Sequence, residues 1–141
     1  MTRYSVRVVT WQDAADVLQD IRRRVFIEEQ RVPPDLERDG TDTQCVHVLA
    51  ETDAGESIGT GRLRSDGRIG RMAVLAEHRG CGVGAAVLRA LCDEARARGL
   101  RELELHAQIS ARGFYERAGW KAHGGEYLEA GIAHVDMRKH V

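Results

Sequence analysis

Cysteine and proline are scarce in this chain of 141 residues, which contains three Cys and two Pro. Cys45, Cys81 and Cys92 are odd in number and lack the spacing of metal or redox motifs. This pattern argues against a disulfide framework and a zinc site, so we expect free thiols and no bound metal. Proline, glycine and serine form no linker, and no repeat divides the chain.

The chain also lacks a large net charge of either sign. Lys and Arg number 21 and Asp and Glu number 22, so the formal net charge is −1. We therefore expect neither nucleic acid nor an anionic membrane as a partner. No apolar run approaches the roughly 18 residues of a membrane-spanning helix, and residues 1–10 lack the apolar core of a secretory signal. Together these absences predict a soluble cytoplasmic protein.

The chain contains enough apolar sequence for one core. A hydrophobic fraction of 43% fits a single domain that covers residues 1–141. Thr10 and Asp13 resemble a capping box, and Ser110 is the expected cap of a short late helix. Periodicity and turn residues predict strand 4–9, helix 11–26, a helical turn 27–31, a polar loop 35–43, strands 46–52, 57–64 and 68–74, helix 85–98, strand 102–107, helix 110–118 and strands 120–123 and 134–138.

A glycine-rich loop separates the fourth predicted strand from the helix that follows it. Gly80, Gly82 and Gly84 leave few Cβ atoms between backbone and ligand, and a helix N-terminus next to them favours a phosphate. A simple strand-to-helix turn is the structural alternative. A Walker loop is excluded because no lysine follows Gly84. A dinucleotide fingerprint starting at Gly80 stays open, with Glu102 or Glu104 as its acidic partner.

The third interpretation of the loop is an Arg-x-x-Gly-x-Gly pattern formed by Arg79, Gly82 and Gly84. It is similar to the acyl-CoA pyrophosphate loop of the GNAT superfamily of N-acetyltransferases. A second stretch, from Gln108 through Ala111, Phe114 and Tyr115 to Gly119-Trp120, resembles that family's N-x-x-A-x-x-F-Y-x-x-x-G-F element. The order of predicted elements is also that of the GNAT fold. Stretches at 23–30, 105–108 and 129–134 further resemble the small stand-alone ElaA-like subgroup.

The resemblance implies a mixed α/β fold with a mostly antiparallel sheet, helices on both faces and one splayed strand pair. It implies that pantetheine enters between those two strands and bonds to the backbone, with the Val74 amide polarising the thioester carbonyl. The remaining cofactor contacts would come from the glycine loop and from the second motif. The residues implied to bind the cofactor are Met72, Ala73, Val74, Arg79, Gly80, Cys81, Gly82, Val83, Gly84, Gln108 and Phe114.

The resemblance also implies catalytic roles. Tyr115 is the expected proton donor to the departing thiolate, although a tyrosine at helical spacing can simply pack. Glu29 and His106 are the two candidates for the general base, and each has an ordinary structural alternative as a solvated carboxylate or a satisfied histidine. Glu126, Glu129 and His134 are weaker candidates.

We therefore expect an acetyl-CoA-dependent N-acetyltransferase that acts on a small-molecule amine in a ternary complex. The resemblance also implies a homodimer. The alternatives are a non-catalytic acyl-CoA binder and a dinucleotide-binding fragment. The acceptor pocket can carry either charge, because Glu28, Glu29, Arg31, Arg62 and Arg64 are all candidates to line it.

Overall fold

Seven strands form one sheet in the computed structural model, which describes residues 3–141. They are β1 (Tyr4–Val9), β2 (Val46–Thr52), β3 (Ser57–Leu63), β4 (Arg68–Val74), β5 (Glu102–Gln108), β6 (Lys121–Glu129) and β7 (Ile132–His140). Their order across the sheet is β1-β2-β3-β4-β5-β7-β6. Every neighbouring pair is antiparallel except β4 and β5, which are parallel and joined by a helical crossover.

Four α-helices connect these strands: α1 (Trp11–Arg22), α2 (Pro34–Glu37), α3 (Val83–Ala97) and α4 (Arg112–Arg117). One buried cluster joins α3 to Ile69 and Leu105, and a second joins α1 to Leu49 and Ala73. Because successive strand residues face opposite sides of a sheet, α3 and α1 cover opposite faces. The predicted mixed fold with helices on both faces is confirmed. Within the described residues, no helix is long and apolar enough to cross a bilayer.

Local signals account for much of this layout. The Thr10 hydroxyl accepts a hydrogen bond from the Asp13 backbone N–H at 3.2 Å, so α1 begins where the capping residue predicts. Gly67 has φ 92° in the β3–β4 turn, a conformation that favours glycine over residues with a Cβ.

Several predicted boundaries are wrong. The helix expected over 11–26 is α-helical only to Arg22 and continues as a π-helix over Arg23–Glu29, because apolar spacing does not distinguish the two windings. The loop expected over 35–43 contains α2, which starts with proline in its first turn. Helix α3 begins at Val83, and Ser110 caps nothing, since a 3₁₀ turn Ile109–Ala111 precedes α4. Strand β6 is longer than predicted because a bulge absorbs its glycines, and β7 is longer because it pairs with β6 and β5 beyond 134–138.

A buried ionic network ties the segment between α1 and β2 to the sheet. Arg22 donates to Asp42 at 2.8 and 3.2 Å and also to the Glu37 carboxylate. Arg62 donates to Asp42 at 2.9 Å and to Asp39. Burial opposes the charge of Asp42, yet hydrogen bonds from Arg22 and Arg62 lower the pKa of Asp42 overall. Asp42 therefore stays ionised at neutral pH.

Replacing Asp42 with asparagine is expected to cost about 3–5 kcal/mol of unfolding free energy, because two buried guanidinium groups lose a charged partner. The lowered pKa means that this stabilisation is present at neutral pH and is lost as the solution becomes acidic. Urea unfolding at pH 7 measures it. Asp93→Asn is the matched control, since Asp93 and Arg96 form an exposed pair expected to contribute less than about 1 kcal/mol. Equal losses in the two variants would contradict the prediction.

Candidate active site

The parallel strands β4 and β5 separate soon after they meet. They pair only at Arg68 with Glu104 and at Ile69 with Leu105. Beyond that point, within the described part of the chain, Gly70–Val74 have no strand partner on the β5 side. A cavity of about 660 Å³ opens there and is lined by residues of both strands and of α3 and α4.

A bulge in β4 accompanies this separation. Arg71 and Met72 together stand opposite Gly61 of β3, because the register shifts by one residue between Gly70 and Ala73. Arg71 has φ 51°, which is uncommon for a residue with a side chain. A Cβ on Gly61 would lie 2.7 Å from the Met72 Sδ atom, so glycine leaves the room that the bulge requires. Bulges bend the strand that carries them, which is consistent with β4 leaving β5.

The glycine loop lies at one side of the same cavity. Gly80 and Gly82 have φ 78° and 85°, and the first backbone bond of α3 runs from Ala86 N–H to the Gly82 carbonyl at 3.0 Å. Within residues 3–141, no side chain caps this helix. Its first amides, at Val83, Gly84 and Ala85, therefore remain available and carry the positive end of the helix dipole. This is a suitable site for an anionic phosphate group.

Two predicted site residues bind each other. Both terminal nitrogens of Arg79 donate to the Glu29 carboxylate at 2.7 Å, while Arg79 Nε donates to the Val74 carbonyl at 2.9 Å. These hydrogen bonds lower the pKa of Glu29. The pair holds the π-helix against the glycine loop, and it makes Glu29 a weaker proton acceptor than an unpaired carboxylate.

Tyr115 lies in α4 at the wall of the cavity and is 8% exposed. Its ring packs edge-on against Phe114 and Trp120, at centroid distances of 5.0 and 6.3 Å. Among residues 3–141, none forms a hydrogen bond with its hydroxyl. Burial raises the pKa of Tyr115 to about 12, so the phenol keeps its proton at neutral pH. Phe114 packs against α3, where an added Cβ on Gly84 would lie 3.4 Å from its ring.

His106 lies on the α1 face of β5 in a charged group of side chains. Its Nδ1 atom is 2.9 Å from Glu129 and 2.7 Å from a terminal nitrogen of Arg68. His134 Nε2 is 3.7 Å from the other Glu129 oxygen. His106, Glu129 and His134 all line the cavity, so the structure brings three of the predicted base candidates together. Glu126 is exposed on β6 and does not line it.

One donor set near this group has the composition of a metal site. Glu104, His106 and Asp136 offer ligand atoms that lie within 4.8 Å of one another. The Tyr127 hydroxyl already donates to Asp136 at 2.6 Å, and Arg138 is 3.8 Å from Glu104. Protein groups thus engage both carboxylates of the set.

Other predicted residues are distributed around the cavity. Met72, Ala73, Val74, Gly80, Gly82, Val83, Gly84, Gln108 and Phe114 line it, whereas Cys81 is exposed on the loop. Gln108 donates to Gln30 of the segment after the π-helix at 2.8 Å. Arg62 and Arg64 line the cavity, but Glu28 and Arg31 do not. Arg68 and Arg71 also line it and were missed, because no spacing rule shows that a bulge will turn a strand residue into a site.

Residues 12–141 match the family model described as an acetyltransferase (GNAT) domain. YyaT of Bacillus subtilis is 37% identical over 141 residues, which cover 96% of this chain and 94% of YyaT. The uncharacterized N-acetyltransferase YjcF of the same species is 35% identical over 123 residues, which cover 84% of this chain and 87% of YjcF. The chain belongs to the GNAT acetyltransferase family, and the prediction of an acyl-transferring enzyme is confirmed.

Solved structures support the same conclusion. An acyl-CoA N-acyltransferase from Pseudomonas aeruginosa superposes with a TM-score of 0.81 at 28% identity, over 99% of each chain. Escherichia coli ElaA superposes with a TM-score of 0.85 at 24% identity, over 96% of this chain and 99% of that one. At this identity the similarity to ElaA is one of fold, and the predicted likeness to small stand-alone GNAT proteins is confirmed at that level. The dinucleotide-binding alternative does not fit a mostly antiparallel sheet with one parallel pair.

Proposed function

We propose that this protein transfers an acetyl group from acetyl-CoA to the primary amine of a small molecule, in a complex that holds both substrates at once. One observation supports the proposal above the others. The unpaired edge of β4 and the uncapped N-terminus of α3 open into the same cavity. The unpaired edge of β4 suits the amide-rich arm of coenzyme A, and the N-terminus of α3 suits its diphosphate.

The residues present fit acetyl-CoA. Amides of the loop and of the first turn of α3 would hold the diphosphate, and backbone groups of Met72, Ala73 and Val74 would bond the pantetheine arm as a neighbouring strand would. Acetyl-CoA supplies an acyl group already activated as a thioester. Arg79 is held by Glu29 and by the Val74 carbonyl, so its role in this proposal is to shape the loop.

Two side chains would move protons. The Tyr115 phenol, protonated and lacking a hydrogen-bond partner among the described residues, would donate to the leaving sulfur. His106 is our proposed base, because it faces the cavity with Glu129 beside it. Glu29 is the weaker candidate, since Arg79 occupies its carboxylate and lowers its pKa. A cytoplasmic location and a homodimer remain predictions.

Two measurements test the proposed function. Acetyl-CoA should raise the melting temperature of the purified protein, whereas NADPH should not. A panel of primary amines, assayed by release of free CoA from pH 6 to 9, should then contain at least one acceptor. His106→Gln should slow that reaction by about 100-fold, a typical effect of losing a general base, and Glu29→Gln should slow it less. Stabilisation by acetyl-CoA without transfer to any amine would instead support a non-catalytic binder.

A further inference from the structure

We propose that the acceptor amine carries an anionic group, a carboxylate or a phosphate, and that Arg64, Arg68 and Arg71 bind this group at the α1 face of the cavity. This inference rests on the proposed function and adds the substrate class to it. The site lies at the start of the gap between β4 and β5, next to His106.

The strand register places Arg68 and Gly70 on one face, and contacts with Glu37 and Asp39 bring the Arg71 side chain, which lies in the bulge, to the same region. Gly70 stands opposite Arg62, and the Arg64 backbone N–H donates to the Arg68 carbonyl at 2.9 Å across the β3–β4 turn. Ile69, between Arg68 and Gly70, is buried in the core under α3. Because side chains alternate along a strand, Arg68 and Gly70 face the opposite side, where His106 of the neighbouring strand also lies.

Positive charge exceeds negative charge in this cavity. Among the described residues, five arginines and three carboxylates line it, and of the arginines Arg62 and Arg79 are also paired with carboxylates outside the lining. Two of those carboxylates have partners in the buried network: Glu37 accepts from Arg22, and Asp39 accepts twice from Arg62. Glu129, the third, lies beside His106. Each of these three carboxylates therefore already has a side-chain partner other than Arg68 or Arg71.

Arg71 shares with Arg62 the only carboxylate that it contacts among the described residues. Its Nε donates to the neutral Glu37 carbonyl at 3.1 Å, and a terminal nitrogen is 3.4 Å from Asp39, which Arg62 already holds. Burial lowers the pKa of Arg71, and the charge of Arg62 adds to that effect. The bulge also keeps this residue at φ 51°. A half-buried cation with too little countercharge, held in a rare conformation at a cavity, is typical of a binding residue.

Arg68 and Arg64 extend this positive surface toward solvent. A terminal nitrogen of Arg68 lies 2.7 Å from His106 Nδ1, while the nearest carboxylate to Arg68 among the described residues, that of Glu129, is 4.0 Å away. Arg64 pairs with Asp66 of the turn at 2.8 Å, and Asp66 is exposed. An oxyanion between these side chains can accept several charge-assisted hydrogen bonds, which guanidinium groups donate in pairs.

Gly70 leaves space for such a group. It lines the cavity, and a Cβ added to it would meet no atom of the described residues within 4 Å. Its φ lies outside the left-handed region, so a side chain there is tolerated by the backbone. Because Gly70, which lies between Arg62 and His106, has no side chain, a ligand can lie directly against the backbone of β4 there.

Matched pairs of amines test the substrate class. An α-amino acid is compared with its amide, and glucosamine 6-phosphate with glucosamine, so that the two pairs distinguish carboxylate from phosphate. We expect the anionic member of at least one pair to be acetylated with a kcat/KM at least about tenfold higher. Arg68→Gln and Arg71→Gln should abolish that preference mainly by raising KM. Arg89→Gln removes an exposed charge from α3 and should preserve it.

A binding measurement keeps the test independent of turnover. With CoA saturating, so that the loop of α3 is occupied, inorganic phosphate or succinate should raise the melting temperature above that in chloride at equal ionic strength. This rise in melting temperature should disappear in Arg71→Gln and in Gly70→Val, which fills the space beside the β4 backbone, and should persist in Arg89→Gln. If neither anion stabilises the CoA complex and neutral amines react as well as anionic ones, the anion site is wrong while the transferase proposal stands. If acetyl-CoA itself fails to bind, the proposed function fails instead.

Discussion

Cys81→Asp is expected to weaken acetyl-CoA binding by about tenfold or more without lowering the melting temperature. Cys81 is exposed and directly precedes Gly82, after which α3 begins. A carboxylate at that position would repel the diphosphate and compete for the same amides, a penalty of about 1–3 kcal/mol for charges some 6 Å apart near a surface. The same carboxylate lies at the positive end of the helix dipole, so it should stabilise the fold by about 0.3–1 kcal/mol.

Opposite effects on binding and on stability make this variant informative. Cys81→Asn has nearly the same shape without the charge and should bind acetyl-CoA almost as well as the unmodified protein. Isothermal titration calorimetry gives the affinity, and thermal melting without ligand gives the stability. The loss caused by aspartate should shrink at high salt, because this site is exposed and salt screens it. An affinity equal to that of the asparagine variant at low salt would remove the loop from the proposed diphosphate site.

Tyr115→Phe is the second change with a large expected effect, a fall in kcat of about 100-fold or more. The hydroxyl has no hydrogen-bond partner among the described residues, so its removal leaves no orphaned group and should alter stability by less than about 1 kcal/mol. The affinity for CoA should stay within about twofold. Because burial raises the pKa of Tyr115 to about 12, ionisation of this phenol should not reduce the activity of the unmodified enzyme below about pH 10.

Tyr4→Phe provides the matched control for that experiment. Tyr4 belongs to β1, packs against the core under α3 and does not line the cavity, although a Cβ added to Gly82 of the loop would lie 3.4 Å from its hydroxyl. Steady-state kinetics with both the amine and acetyl-CoA saturating should show an unchanged kcat for this variant. If Tyr115→Phe turns over as fast as Tyr4→Phe, Tyr115 packs and does not donate a proton.

Local sequence was sufficient for features that depend on neighbours within a few residues. Thr10 caps α1 as predicted, and the Asp66-Gly67 turn joins β3 to β4. The π-helix was not predictable, because a change from 3.6 residues per turn to a wider turn barely moves the apolar stripe. Ser110 failed as a cap because the chain first makes a 3₁₀ turn, and a cap residue acts only where the helix in fact begins.

The candidate site likewise contains residues that the sequence revealed and residues that it did not. The glycine loop was evident because glycine spacing and the helix that follows are adjacent in sequence. Arg71 had no such signal, since its position depends on a register shift against Gly61, which lies on another strand. The charge of the acceptor pocket stayed open for a related reason: alternation indicates the face of a strand but not which opposite charges meet there.

The amino-acid sequence alone determined the order of the strands and of the longer helices, the glycine loop at the start of α3 and the family to which the chain belongs. Only the tertiary structure decided that Arg79 binds Glu29 fifty positions away, that Tyr115 is buried beside the cavity, and that Arg68 and Arg71 lie there with little countercharge. The physical reason is the sequence separation over which each interaction acts. Caps, turns and periodicity act between near neighbours, whereas ion pairs, burial and pKa shifts arise when packing brings distant segments within a few ångströms.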